Sequence, residues 1–166
     1  MISWNEGGLA GMSRRSIPAP RQPARKAPVS DPQQATEALV RRYYDAFNAR
    51  DWEGMLACLA DDVAHDLNQG GRQVGKAAFR DFLAHMERCY RERLVGVAVM
   101  TDATGARAAA EFTVEGEYLS TDAGLPEARG QRYVLPAGAF LEAREGRIAR
   151  VTMYYNLQDW LRQVGA

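Results

Sequence analysis

The sequence has little that would set it apart from ordinary globular proteins: few cysteines, no excess of charge and no long apolar run. Its 21 lysines and arginines balance 21 aspartates and glutamates, so net charge gives no reason to expect nucleic acid or an anionic membrane as partner. The longest apolar stretch, near residues 94–100, is far shorter than the ~20 residues of a membrane-spanning helix. Cys58 and Cys89 lie in apolar helical patterns, so we expect buried free thiols and a reducing, cytoplasmic location.

Residues 1–30 differ from the remainder in being basic and rich in proline. The segment has one acidic residue, Glu6, and five basic residues, so its net charge is +4. The basic residues are Arg14, Arg15, Arg21, Arg25 and Lys26. No periodic apolar face is present, so burial cannot offset the entropy lost on ordering. We interpret the segment as a flexible extension of a domain that spans residues 31–166. A targeting peptide is the alternative, but the segment lacks an apolar signal region and a helical amphipathic pattern.

The first part of the domain shows helical periodicity. Asp31 and Pro32 are typical of a helix start, and apolar residues recur at three- and four-residue spacing up to about Ala49. A short second helix follows Asp51, a brief strand covers about residues 62–68, and a third helix follows Gly75. The pattern predicts three helices in this part of the chain.

After Arg93 the apolar period changes to two, which is typical of strands. Alternating residues predict one strand around residues 95–99 and another around residues 108–118. Two further strands, about residues 131–142 and 147–156, are joined by a tight turn at residues 144–146, and a short helix ends the chain. Helices followed by a meander of strands predict an α+β fold with an antiparallel-rich sheet packed on helices.

Several local motifs resemble those of a known superfamily. The segments Arg41–Asp51, Leu59–Val63 and Gly75–Phe79 resemble the nuclear transport factor two-like superfamily, which includes ketosteroid isomerase. Segments 124–126, 128–132 and 161–165 are more similar to SnoaL-like polyketide cyclases. The resemblance covers about residues 34–166. It implies a cone-shaped fold in which three N-terminal helices pack on a strongly curved, mainly antiparallel sheet and enclose an apolar cavity. Such folds host enzymes and non-catalytic binders alike.

The resemblance also implies positions for catalytic residues. Tyr43 corresponds to the tyrosine that donates to the oxyanion in the isomerases, and Asp66 lies near their general base. In an apolar cavity, desolvation would raise the Asp66 pKa. The chain is one residue shorter than the isomerases before Asp66, and a slip of one residue would turn His65 to the cavity instead.

A second acid of the isomerases falls on Gly138, and a glycine has no side chain with which to donate a hydrogen bond. Tyr118 and Tyr155 are the nearest candidates for the missing donor.

Family matching and strand alternation predict a set of residues that line the cavity and bind substrate. They are Phe47, Phe82, Met86, Phe112, Val114, Tyr118, Phe140, Met153 and Tyr155. The same residue types are typical of plain hydrophobic core. We expect no cofactor and no metal, since His65 and His85 have no third clustered ligand in the sequence.

The resemblance implies an isomerase or cyclase that uses acid–base chemistry on a small apolar carbonyl compound of steroid-like or polyketide-like type. The alternative is a non-catalytic small-molecule-binding module of the same fold. Leu135, Ala137 and Leu141 are expected on the outer sheet face with Tyr133 and Tyr154. An apolar patch of that kind predicts a homodimer through the outer face.

Deletion of residues 1–30 tests the interpretation of the basic segment. We expect the melting temperature to remain essentially unchanged, because a segment that buries little apolar surface adds little stability. Calorimetry on the full and the shortened chain measures this difference. A drop of several degrees would show that the segment packs on the domain.

Overall fold

A computed structural model describes residues 31–165, and the predictions for residues 1–30 lie outside the described residues. The elements in chain order are α1 (Pro32–Ala49), α2 (Trp52–Ala57), β1 (Leu59–Asp66), β2 (Arg72–Val74), α3 (Lys76–Cys89), β3 (Tyr90–Thr101), β4 (Arg107–Tyr118), β5 (Arg132–Arg144), β6 (Arg147–Tyr155) and α4 (Leu157–Val164). The predicted α+β class is confirmed, with β2 as an additional short strand. None of the described helices is long and apolar enough to span a membrane.

Side-chain caps set the starts of the first two helices. The Asp31 carboxylate accepts a hydrogen bond from the backbone N–H of Gln33 at 3.1 Å, with Pro32 in the first turn of α1. Asp51 accepts from the N–H of Gly54 at 2.9 Å and starts α2. These bonds satisfy backbone donors that have no partner inside the helix. The capping residues found in the sequence therefore act as predicted.

The six strands found within residues 31–165 form one open, mixed sheet in the order β2-β1-β6-β5-β4-β3. Strands β1 and β6 run parallel, and every other described pair is antiparallel. Register shifts interrupt the pairing of β1 with β6, β3 with β4 and β5 with β6. Such bulges bend and twist strands.

The end of α1 is attached to the edge strand β3 through one side chain. The Asn48 amide nitrogen donates to the carbonyl of Leu94 at 2.9 Å, and its oxygen accepts from the N–H of Leu94 at 2.8 Å. A free strand edge would expose unpaired backbone groups. Asn48 therefore satisfies part of this edge and fixes α1 across the sheet.

The side chains of β5 point to the opposite faces of the sheet from those predicted. Tyr133, Leu135 and Leu141 are 2–3% exposed and belong to the core, whereas Phe140 is 55% exposed. Leu141 pairs with Val151 on the inner face, and Phe140 pairs with Thr152 on the outer face. The sequence could not set this phase, because apolar residues occupy both faces of β5. The predicted outer positions of Tyr133, Leu135 and Leu141 are wrong, as is the predicted inner position of Phe140. Ala137 is partly buried against the core.

Exposed apolar side chains do cover part of the outer face. This outer patch consists of Met100, Val134, Phe140 and Tyr154, each 52–55% exposed. The rings of Phe140 and Tyr154 meet edge to face, with 5.8 Å between their centres. Monomers seldom leave such patches in water. A homodimer through this face therefore stays our prediction, now with these residues.

Phe140→Asp tests the dimer. A carboxylate buried in an apolar interface loses its hydration, so we expect the dimer dissociation constant to rise by more than ~10-fold. Light scattering across a concentration series measures this constant. The control is Ala84→Asp, which adds the same charge at an exposed position of α3. A monomeric wild-type chain at micromolar concentration would contradict the prediction.

Candidate functional site

His65 and Asp66 lie at the end of β1 and occupy opposite faces of the sheet. His65 pairs with Val151, whose side chain belongs to the core, and Asp66 pairs with Thr152. His65 is only 4% exposed. Of the two registers that the sequence allowed, the structure therefore shows the one in which His65 faces inward.

The His65 imidazole packs between two aromatic rings of α3. Its ring centre lies 4.6 Å from that of Phe79 and 4.5 Å from that of Phe82. Burial lowers the His65 pKa, although the Asp66 charge and the Gln73 side chain act in the opposite direction. Within residues 31–165, Nδ1 has no hydrogen-bond partner. A buried, neutral imidazole with a free nitrogen can accept or donate a proton.

Asp66 is part of an ion-pair network on the outer face. Its carboxylate accepts from Arg72 Nε at 2.7 Å and from the Thr152 hydroxyl at 2.9 Å, and Arg150 lies 3.6 Å away. The hydrogen bond from Arg72 is the main reason that the Asp66 pKa falls to about 2. The expected rise of this pKa is therefore wrong, because Asp66 faces arginines and not an apolar cavity.

Tyr43 is inside the core, as the helical spacing predicts. It is 3% exposed and its ring meets that of Tyr44 edge to face at 5.0 Å. Burial, followed by the proximity of Tyr44 and Cys58, raises the Tyr43 pKa, so the phenol keeps its proton. These neighbours differ from those of His65.

The structure adds a partly buried acid, Glu92, that the alternation of the sequence did not predict on the inner face. Glu92 of β3 pairs with Gly116 of β4, which pairs with Tyr133 of β5. The Tyr133 hydroxyl donates to Glu92 Oε1 at 2.6 Å across the intervening strand. Burial raises the Glu92 pKa above its ordinary value, although the Tyr133 hydrogen bond lowers it in part.

Gly116 makes this hydrogen bond sterically feasible. A Cβ atom at Gly116 would lie 2.1 Å from Cζ of Tyr133, far inside van der Waals contact. The missing side chain gives the tyrosine ring room to cross β4. The Trp160 ring of α4 packs against Tyr133 at 5.9 Å and closes this end of the core.

Glu92 also lines a narrow cavity between the helices and β3. The other lining residues are Phe47, Arg50, Trp52, Met86, Glu87 and Tyr90. Its volume is about 20 Å³, which is room for one water molecule. A larger space of about 730 Å³ lies elsewhere, as an open groove lined by small uncharged residues and by charged ones, among them Arg42, Asp45 and Arg147. The described residues therefore show a narrow opening beside Glu92.

Most of the residues predicted to line a cavity lie on the inner face. Phe112, Val114 and Tyr118 are buried there. Phe47, Phe82, Met153 and Tyr155 are partly buried against the same core, and Met86 borders the narrow cavity. Their role in binding stays a prediction.

In the isomerases a second acid lies on the strand that corresponds to β5. The inner face of β5 in this protein has no acidic side chain. Gly138 pairs with Tyr154 on the outer face, and its neighbours on the inner side are Ala137 and Ala139. The nearest inward acid in the sheet is Glu92, which is on a different strand.

A local irregularity in β3 explains why sequence reasoning missed Glu92. The register shifts between Val95 and Ala98, where Gly96 has a φ of 66°. Before this bulge Glu92 and Leu94 face inward, whereas Val97 and Val99 pack on the core after it. Extrapolating the alternation of the valines backwards places Glu92 in solvent. The signal that could have found it is Leu94, two residues further along the same face.

Comparison with known proteins gives a consistent family match. The SnoaL-like domain matches residues 40–151. A candidate polyketide cyclase of Pseudomonas putida KT2440 is 62% identical, with 78% of this chain and 97% of that chain covered and a TM-score of 0.76. A second from Xanthomonas campestris pv. campestris is 55% identical, covering 80% and 98%, with a TM-score of 0.77. A third, from Silicibacter sp. TM1040, is also 55% identical, covering 80% and 97%, with a TM-score of 0.79. No curated protein matches the chain.

Gly116→Ala tests the packing that supports Glu92. The added methyl group overlaps the Tyr133 ring, so we expect a loss of ~1–3 kcal/mol in the free energy of unfolding. Urea denaturation measures it. The control is Gly71→Ala, where a Cβ atom meets nothing within 4 Å. Equal stability of the two variants would contradict the geometry.

Proposed function

Because this chain belongs to the SnoaL-like domain family, we propose that it isomerises or cyclises a small, largely apolar carbonyl compound. Three solved relatives at 55–62% identity, each a candidate polyketide cyclase, support this class of reaction. The observation that carries the proposal is the Glu92 carboxyl, which lines a narrow opening walled in part by aromatic side chains, accepts a hydrogen bond from Tyr133 and has a raised pKa.

In this proposal Glu92 is the acid–base group. A raised pKa increases its affinity for protons and brings it closer to that of an efficient general base near neutral pH. Tyr133 occupies Oε1, and we assign the other carboxylate oxygen to the substrate. The free carboxylate oxygen of Glu92 removes a proton from the substrate carbon next to the carbonyl group. The electron pair of the broken C–H bond then forms an enolate. Return of the proton to another carbon completes an isomerisation, and attack of the enolate carbon on a second carbonyl closes a ring.

Donors are needed to stabilise the negative enolate oxygen. Burial, followed by the charge of Glu92, raises the Tyr155 pKa, so its phenol remains protonated and able to donate. Tyr43 keeps its proton for the same reason of burial. We assign Tyr155 as the donor near Glu92 and Tyr43 as a second donor deeper in the core. His65 is the second interior group that can exchange a proton.

Substrate entry requires the narrow cavity to widen, since about 20 Å³ holds a water molecule and not a ring. Met86 lies on its wall and is flexible, because its side chain is unbranched. Arg50 and Glu87 also line the cavity, and their charged groups are 3.4 Å apart with nearly half of each side chain exposed. Exposed pairs of this kind contribute little stability. In our proposal these three side chains move aside when a ligand enters.

Glu92→Gln tests the assignment with a panel of apolar cyclic ketones. The amide keeps the shape but cannot accept a proton, so we expect kcat/KM to fall by ~10²–10⁴-fold. The control is Glu115→Gln, an exposed glutamate of β4 away from the opening, which should retain the wild-type kcat/KM. In the wild type, kcat/KM should fall as the pH drops through the Glu92 pKa, above its ordinary 4.5. The glutamine variant should lack that decline.

Parallel variants distinguish the other candidates. If Glu92→Gln retains turnover and His65→Gln loses it, the base is His65. If Asp66→Asn alone abolishes turnover, the acid–base group is on the outer face and the proposal is wrong. If several ketones bind with micromolar affinity and none is converted, the protein is a binding module.

A further inference from the structure

Three potential metal ligands meet where α3 ends, away from His65 and the outer ion pairs. His85 and Cys89 are four residues apart on α3, which places them on one face of the helix. Asp122 comes from the connection between β4 and β5. Their ligand atoms, an imidazole nitrogen, a thiol sulfur and a carboxylate oxygen, all lie within 4.8 Å of one another.

The connection that carries Asp122 is fixed to α3 by backbone hydrogen bonds. The N–H groups of Leu119 and Ser120 donate to the carbonyl of Cys89 at 2.8 and 3.3 Å. The N–H of Asp122 itself donates to the Tyr118 hydroxyl at 2.7 Å. Since Tyr118 is fully buried, this anchor is rigid. The spacing of the three ligands therefore follows from the fold.

The Asp122 carboxylate is oriented on both sides. Oδ1 accepts from the N–H of Ala123 at 2.8 Å, and Oδ2 accepts from the Tyr90 hydroxyl at 2.8 Å. The remaining contact of Oδ2 is with His85 Nε2 at 2.9 Å. An outer hydrogen bond such as that from Tyr90 is the usual support of a metal-binding carboxylate.

We propose that His85 Nε2, Cys89 Sγ and Asp122 Oδ2 bind a divalent ion of the zinc class. Imidazole, thiolate and carboxylate are the ligands that zinc takes, at ~2.0–2.3 Å, which corresponds to separations of ~3–4 Å between ligand atoms. The observed cluster needs only a small adjustment to reach them. The metal replaces the proton that His85 Nε2 shares with Asp122, the neutral imidazole then carries its proton on Nδ1, and the Cys89 thiol releases its proton to solvent. Water completes the tetrahedron.

Arg88 competes with the metal in the present arrangement. Its guanidinium lies 2.9 Å from His85 Nδ1, which makes Nδ1 the acceptor and leaves the proton on Nε2. With a metal on Nε2, the proton moves to Nδ1 and the guanidinium must turn away. Arg88 is exposed and free to do so. We therefore expect Arg88→Ala to bind zinc more tightly than the wild type.

The experiment uses the metal-free full chain, Co²⁺ as a spectroscopic probe and Zn²⁺ in competition with a chromogenic chelator. Co²⁺ should produce an intense thiolate-to-cobalt absorption in the near ultraviolet, and Zn²⁺ should abolish it. Cys89→Ser should lose this band and weaken Zn²⁺ binding by more than ~100-fold, beyond the effect of outer-shell changes. Cys58→Ser is the matched control, since Cys58 is also a buried free thiol, and should retain both.

Absence of the band in the wild type, or its loss in Cys58→Ser and not in Cys89→Ser, would overturn the proposal. Should Cys89→Ser fail to fold, His85→Gln and Asp122→Asn provide the same comparison through melting temperature. Zn²⁺ should raise the melting temperature of the wild type and not that of these variants. An equal rise in all three proteins would also refute the site.

Discussion

Among residues 31–165 the helices cover one face of an open sheet, and this constraint decides which side chains can meet. Within each regularly paired stretch of a strand, one phase buries alternate residues under the helices and leaves the others outside, and a bulge such as that in β3 reverses this phase. On β1 this phase puts His65 between Phe79 and Phe82 and leaves Asp66 with Arg72. On β5 it buries Leu141 and exposes its neighbour. A shift of one residue in any strand would exchange all of these positions.

The carboxylates of Asp66 and Glu92 show how strongly the strand phase affects the acidity of a side chain. Asp66 and Glu92 have similar ordinary pKa values, but the structure moves them in opposite directions. Arginine donors on the outer face stabilise the charged form of Asp66. Around Glu92, burial among Phe47, Trp52 and Tyr90 removes water and favours the neutral form. An acid that exchanges protons is therefore expected in the interior.

Strand β3 connects the proposed acid–base group with the proposed metal ligands. Tyr90 and Glu92 are alternate residues on its inner face, and Cys89 immediately precedes the strand. The Tyr90 hydroxyl contacts Asp122, and the Glu92 carboxylate contacts Tyr133. The Trp160 ring of α4 packs against both tyrosines. A single aromatic cluster thus supports both groups.

The sequence by itself determined the helices, the later strands, the buried thiols and the family, because these depend on periodicity, capping residues and short motifs. It also identified Tyr43 and limited the end of β1 to two registers. Only the tertiary structure decided between His65 and Asp66 and between the two faces of β5, because strand phase depends on pairing with distant strands. The bulge at Gly96 hid Glu92 from any argument based on strict alternation. Asp122 approaches His85 and Cys89 because the connection after β4 folds back onto α3. The hydrogen bonds that hold it there join residues about 30 positions apart, so local sequence patterns do not predict them.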